Sequence, residues 1–445
     1  VIDVLRQPAV LGLLMVVTFM TLIMTKRMSA VAALLIVPIV FGLLAGAGPG
    51  LGEMIVKGVL QVAPTTLMLS FAVLYFAVMM DAGLFEPLVR RVLSIVGEDP
   101  LKISLGTAIL ATVVSLDGDG TTTALIVITA FLPVYRRVGM NPLILATLLG
   151  LTNALMNYVP WGGPAARAAA AVHVDLAQVV GPMLPAAGVG LLAVFGLAWH
   201  FGRGERRRLA GRAAEAGDNV TPLAVLAAAQ ALEVEKDIRR PKLFWFNLAL
   251  TVVLILGMVS GLAPLPVLMM SAFAVAITVN YPALKDQKAR IAAHADNVVN
   301  IVVLLFAAGA FTGILNGAGM ADAMAKSALS VIPPTVGPYL APITALVSMP
   351  LTFVMSNDAY YFGVVPVVAQ TAASFGVEPV EIARAALIGQ PVHSLSPLLA
   401  PIYLACGLLG VDVADAQRFS LKWAVAICLV VLVAALAMGA FPLRA

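Results

Sequence analysis

The sequence predicts an all-α polytopic membrane protein, and three observations carry that prediction. Only 11% of the 445 residues are charged and the mean hydropathy is +1.01, whereas soluble domains carry about 25% charged residues. Apolar stretches long enough to cross a hydrocarbon core of about 30 Å recur from end to end, at 8–25, 29–47, 61–80, 182–201, 243–261, 264–280, 297–315 and 420–441. Two polar islands, SLDGDGTTT at 115–123 and SNDAYY at 356–361, stand inside sequence that is otherwise oil.

Taken in order, the first stretch is followed by Lys26-Arg27 without a small-residue cleavage site, so it reads as a retained span rather than a signal peptide. Spans at 29–47 and 61–80 follow. Residues 101–133 are apolar on both sides of the first island, which reads as the tip of a re-entrant hairpin. A helix over about 142–180 is broken at NYVPWGGP, 157–164, and 182–201 closes the first half. The polar stretch 202–242 holds nine basic residues interleaved with six acids, and an Ala/Leu-rich piece at 222–232 reads as a surface helix. The second half, 243–445, repeats the plan: spans, a re-entrant hairpin over about 338–375, a helix over about 380–410 broken at HSLSPLLAP, 393–401, and a last span. The total is about ten transmembrane helices plus two re-entrant hairpins. Cys406 and Cys428 lie in apolar stretches, so no disulfide framework is expected.

The halves align on themselves. An offset of 237 pairs GMNP at 139–142 with GVEP at 376–379, Pro160 with Pro397, Pro164 with Pro401, and Val174-Asp175 with Val411-Asp412. An offset of 236 pairs Ala82-Gly83 with Ala318-Gly319, Glu86 with Asp322, and Arg90 with Lys326. Several ordered matches indicate a repeat. With 202–242 placed in the cytoplasm, twenty-one Lys and Arg fall inside and five outside, with Arg167 within the membrane. Five spans per half then run in opposite senses: an inverted repeat with both termini outside. Such repeats are the build of secondary transporters, whose sites form near the midplane at interrupted helices.

SLDGDGTTT alone resembles a phosphatase nucleophile or a calcium loop. A phosphatase needs a soluble sheet around the motif, and a calcium loop would need Glu where Ile128 stands. An intramembrane aspartyl protease wants Gly-x-Gly-Asp, which Leu116-Asp117-Gly118-Asp119 is not. A carboxylate at membrane depth costs about 2.5–3.5 kcal/mol even on the lenient insertion scale, which marks Asp117 and Asp119 as functional candidates. Two carboxylates so close call for a shared proton or cation. Thr121 and Thr122 offer hydroxyls to a ligand, and Asp358 is the second-half counterpart, with N-capping of the following arm as its structural alternative. Asn153, Asn157 and Gly162 at the first break, and Gln390, His393, Ser394 and Ser396 at the second, complete the candidate binding set with Ser356 and Asn357. Arg167, just past the first break, is placed to hold a carboxylate, and His393 to carry a proton or donate to a ligand.

SLDGDGTTT followed by PVYRRVGMNP, then NYVPWGGP, SNDAYYFGVVP and QPVHSLSP, resembles the citrate–metal:proton symporter (CitMHS) family of the ion-transporter superfamily, over essentially the whole chain. The resemblance implies a dimeric, elevator-type carrier that takes up citrate complexed to a divalent metal, of magnesium or calcium type, driven by protons. It implies no permanently bound cofactor, no enzymatic activity, and as partners the citrate–metal complex, the bilayer and a second copy of the chain, with no nucleic acid. Sodium symporters of that superfamily carry Ser-Asn-Thr at both tips. The carboxylates Asp117, Asp119 and Asp358 here favour protons or contact with a substrate-borne metal, leaving a sodium-coupled di- or tricarboxylate symporter, or a sodium/proton antiporter, as the alternative. Charge agrees: free citrate carries about three negative charges at neutral pH, too many for a site with one arginine and three acids.

Overall fold

The computed structural model describes residues 7–117, 120–213, 238–329 and 332–445, and every regular element among them is helical. The surface helix expected at 222–232 lies outside the described residues.

Helices α1 (Pro8–Met24) and α2 (Ala30–Leu44) pack together as a hairpin, with Ser29 Oγ accepting from the Ala32 amide to cap α2. Helix α3 (Leu51–Asp81) runs 31 residues, about 46 Å at 1.5 Å per residue. The short α4 (Glu86–Val96) segregates its charges onto one face, as an interfacial helix does. Next come α5 (Pro100–Val114), a single 3₁₀ turn at Ser115–Asp117, and α6 (Gly120–Val138), the two arms of the first hairpin. Helix α7 (Pro142–Met156) gives way to turns over 157–162 before α8 (Gly163–Ala171), α9 (Leu176–Val180) and the long α10 (Leu184–Ala213). Pro164 sits in the first turn of α8, where its missing N–H is not needed.

The second half runs α11 (Phe244–Val259), α12 (Leu265–Asn280), α13 (Leu284–Ala293), α14 (Ala295–Gly317) and α15 (Met320–Leu329). Helix α16 (Leu340–Val354), a π-helical turn at Ala359–Val364 and α17 (Val365–Ala373) form the second hairpin. Helix α18 (Pro379–Ala386), a 3₁₀ turn at Leu387–Gly389 and α19 (Gln390–His393) lead to irregular backbone, after which come α20 (Ala400–Leu409) and α21 (Val413–Ala437).

Local conformations recur at the sequence pairs. Gly83 and Gly319 are both left-handed (φ +83° and +69°), as are Gly139 and Gly376 (+76° and +88°). The carboxylates of Asp175 and Asp412 each accept at 2.7 Å from the amide two residues on, capping α9 and α21. His173 has φ +57° where its counterpart Gly410 has +70°, so one half pays glycine's freedom at this turn and the other places an imidazole there.

The centre is set by α3 crossing α14 at glycines. A Cβ on Gly58 would stand 2.1 Å from the Gly309 carbonyl oxygen, and one on Gly313 2.4 Å from that of Met54. Small residues thus let the two backbones touch. Helix α10 packs along α5 and α21, while α8 meets α3, α14, α18 and the π-helical turn. Polar pairs tie helix ends to one another. Asp81 accepts from Arg290 Nη1 at 3.3 Å and lies 2.9 Å from His294 Nε2, tying α3 to α13 and α14. Glu86 takes Arg239 at 2.9 Å and also Arg90. Asp99 holds Arg206 through both oxygens, fastening the start of α5 to α10.

Among the described residues, six helical stretches are long and apolar enough to cross a membrane: Gly48–Asp81, Leu176–Ala210, Pro241–Met258, Ala295–Gly317, Gly337–Val354 and Val413–Ala437. The remaining apolar helices are shorter, 10–17 residues, and most of these are hairpin arms or halves of broken helices.

Candidate functional site

Interrupted helices leave backbone donors and acceptors that lipid cannot satisfy, and here the two hairpins and the two breaks satisfy one another. Trp161 Nε1 at the first break donates to the Leu116 carbonyl at the first tip, 2.7 Å. At the second break, Ser396 Oγ donates to the Phe353 carbonyl at 2.7 Å, and His393 Nδ1 lies 2.6 Å from the Thr352 carbonyl oxygen, both on the hairpin arm α16. At the breaks and tips, bonds also cross between halves. Tyr158 Oη donates to the Leu387 carbonyl at 2.8 Å, and Arg167 Nε donates to Asp358 Oδ1 at 2.7 Å.

Beside these ties lies a partly open cavity of about 280 Å³. Its polar wall is Asn153, Asn157 and Arg167 from the first half and Asn357, Gln390, His393 and Ser394 from the second, with Ser420 of α21 beside them. Gly120 and Gly163 bring backbone to the wall; a Cβ on Gly120 would stand 2.9 Å from Asn153 Nδ2, and one on Gly163 2.8 Å from an Arg167 nitrogen. Leu149, Leu395, Leu399 and Ile402 supply apolar surface. Seven of the residues expected from sequence therefore come together. They stand up to 241 positions apart in the chain, from Asn153 to Ser394.

Others stand behind that wall. Gly162 packs on the Asn157 carbonyl, where a Cβ would come within 2.3 Å of the oxygen. Ser396 is spent on Phe353, and Thr121 and Thr122 stand in the first turn of α6 next to Gly120. The cap expected of Asp358 is made instead by Ser356, whose Oγ accepts from the Ala359 amide at 3.2 Å; Asp358 makes no capping bond, because Arg167 draws its carboxylate. The backbone of Asp117 ends the 3₁₀ turn, while its side chain and all of Asp119 lie outside the described residues. Among the described residues no cluster of three His, Cys, Asp or Glu side chains is set to hold a metal ion.

Two buried acceptors adjoin the cavity without a partner: His393 Nε2 and Gln390 Oε1. Gln390 uses its Nε2 on Tyr361 Oη at 2.9 Å and on Asn357 Oδ1 at 3.3 Å. Buried polar atoms are ordinarily satisfied, so these two are set to meet a group that enters the cavity. The arrangement offers amide and hydroxyl groups, one guanidinium already balanced by a carboxylate, and two free acceptors. Sequence reasoning did not find Tyr158, Trp161 or Tyr361. Only Tyr361 carried a signal, as an aromatic residue within a polar island, because the partners of all three lie far off in the chain.

Polar hairpin tips opposed to broken helices around a cavity, in a chain this apolar, define a multi-pass membrane transporter. The chain belongs to the citrate transporter family, CitMHS, whose model matches residues 19–389. It is 51% identical over 431 residues to the citrate transporter of Bacillus subtilis (strain 168), covering 97% of this chain and 99% of that one. It is also 49% identical to that organism's Mg(2+)/citrate complex secondary transporter, covering 97% and 98%. These relatives are transporters, and the chain is a transporter rather than an enzyme. Among solved structures, MtrF of Neisseria gonorrhoeae, from a class of antimetabolite efflux pumps, superposes with a TM-score of 0.63 at 14% identity, covering 88% of this chain and 84% of that one. The YdaH transporter of Alcanivorax borkumensis gives 0.57 at 14% identity, covering 99% and 100%. At such identity the likeness is one of fold.

Proposed function

We propose that the chain takes up citrate as its complex with a divalent metal, of magnesium or calcium type, driven by protons, across a bacterial inner membrane. The Arg167–Asp358 pair carries this reading. Arg167 is the fixed cation among the described cavity residues, and Asp358 cancels it. Free citrate, with about three negative charges at neutral pH, would enter a cavity with almost no positive charge to meet it. A metal complex carries about one, and its cation accepts oxygen ligands. The relative described as a Mg(2+)/citrate complex secondary transporter supports the same substrate. The carboxylates of Asp117 and Asp119, next to Gly120 in the chain, are the proposed contacts of the metal that travels with citrate.

The matching left-handed turns and caps in the two halves support an inverted repeat. On that reading the basic linker 202–242 is cytoplasmic and both termini face outward. The hairpins and broken helices move as one body against α1–α3 and α11–α14 in an elevator cycle, in a homodimer. Uptake of labelled citrate into proteoliposomes tests the function. The reading requires both a divalent metal and an inward proton gradient; uptake driven by sodium without metal overturns it in favour of a sodium symporter.

A further inference from the structure

The imidazole of His393 is 2% exposed, and its two nitrogens have unlike surroundings. Nδ1 lies 2.6 Å from the carbonyl oxygen of Thr352. A carbonyl only accepts, so Nδ1 must carry a hydrogen, and in the neutral ring Nε2 is then a bare lone pair. That lone pair is buried, has no partner, and belongs to a residue that lines the cavity. A carboxylate oxygen, itself only an acceptor, is repelled by it. Once Nε2 is protonated it becomes a donor of a charge-assisted bond to the same oxygen. The backbone carbonyl thus turns one histidine into a gate that admits an anion together with a proton.

Among the described residues that line the cavity with His393, the other titratable groups are the Arg167 guanidinium and the Cys406 thiol. Among the described residues, the charged groups that act on this ring from packed elements are Arg167 of α8 and Asp358 at the second tip, and these pair with each other. Helices α7 and α16, which pack on α19, carry no ionisable carboxyl, amine or guanidine. Helix α21 sets the Cys428 thiol near Val392, and the phenols nearby are Tyr158 and Tyr361.

We propose that His393 is the proton carrier of the transport cycle: Nε2 takes a proton from the side to which the cavity is open, donates it in a hydrogen bond to a substrate carboxylate, and releases it when the substrate leaves. This rests on the proposed citrate uptake and assigns its coupling to one residue rather than to the tip carboxylates.

The test measures binding of magnesium citrate to purified protein against pH. One linked proton changes affinity about tenfold per pH unit, rising as pH falls, over the range in which Nε2 is neutral in the free protein and protonated in the complex. The wild type is expected to show that slope. His393→Gln, which places a permanent amide near the Nε2 position, is expected to bind with no such slope; so is His393→Asn, which retains a donor for Thr352. A folded variant keeping the wild-type slope overturns the proposal and returns the proton to the tip carboxylates. If neither variant folds, a chain carrying His173→Asn, His200→Gln and His294→Gln leaves His393 as the sole histidine for ¹⁵N observation. Its Nε2 should shift from neutral acceptor to protonated donor on saturation with magnesium citrate; an unchanged neutral ring overturns the proposal. Failure of the wild type to bind magnesium citrate is a separate result and counts against the proposed function itself.

Discussion

Replacing Asp358 by asparagine removes one negative charge from the cavity while leaving an oxygen to accept from Arg167 Nε. The side chains of the pair are 23% and 21% exposed, so the charge is only partly screened. Two unit charges interact by about 4 kcal/mol at 4 Å with an effective dielectric of about 20, and by about 2 kcal/mol at about 8 Å, the separation expected of a substrate seated on Arg167. Discounting by about half for the remaining exposure leaves about 1 kcal/mol per substrate charge. Free citrate and its metal complex differ by about two charges, so the variant should shift preference toward free citrate by about 2 kcal/mol, about thirtyfold. Calorimetric titration with citrate, once with excess magnesium and once with a chelator, gives the two affinities whose ratio matters. A ratio unchanged from wild type would refute the idea that the balanced pair excludes the highly charged form.

Other outcomes follow from single contacts. Trp161→Phe removes the bond to the Leu116 carbonyl that joins the first break to the first tip, and should lower the ligand-bound melting temperature by an amount matching about 1 kcal/mol, measured by thermal unfolding. Gly58→Ala places a methyl group 2.1 Å from the Gly309 carbonyl oxygen, so α3 and α14 must separate; the yield of folded protein on size-exclusion chromatography should collapse, whereas Gly52→Ala, which meets nothing within 4 Å, should leave it intact. Burial alone would raise the Asp99 carboxyl, but hydrogen bonds from Arg206 and the Leu101 amide, with the charges of Arg206 and Lys102, hold it below the usual carboxylate range. Its contribution is therefore present above that range and lost as pH falls through the lowered value. Asp99→Asn should cost up to about 1 kcal/mol at neutral pH and progressively less in acid, read from melting curves.

Much of this site was legible because membranes punish polarity. In so apolar a chain, Asn153, Asn157, Asn357 and Gln390 stand out as groups that must find partners, and proline and glycine mark the breaks that bring them inward. What could not be read is pairing across distance. Arg167 and Asp358 are 191 residues apart, and nothing local distinguishes an arginine waiting for substrate from one already bound to an aspartate. The same holds for Asp81 with His294, 213 residues apart, to which the sequence lent no role. The π-helical turn at Ala359–Val364 was likewise hidden, since it lies in an arm that reads as ordinary helix. Hydropathy windows also merged elements: the stretch 29–47 covers both α2 and the start of the turn after it, and α3 begins ten residues before its apolar window.

The most direct test of the whole account is a dual-label flux in proteoliposomes, following citrate and its divalent metal together under an imposed proton gradient. The account predicts that metal and citrate enter in equal amounts, that a chelator abolishes both, and that collapsing the gradient stops accumulation. Citrate that accumulates without its metal, or metal and citrate that enter equally well without a proton gradient, would contradict it.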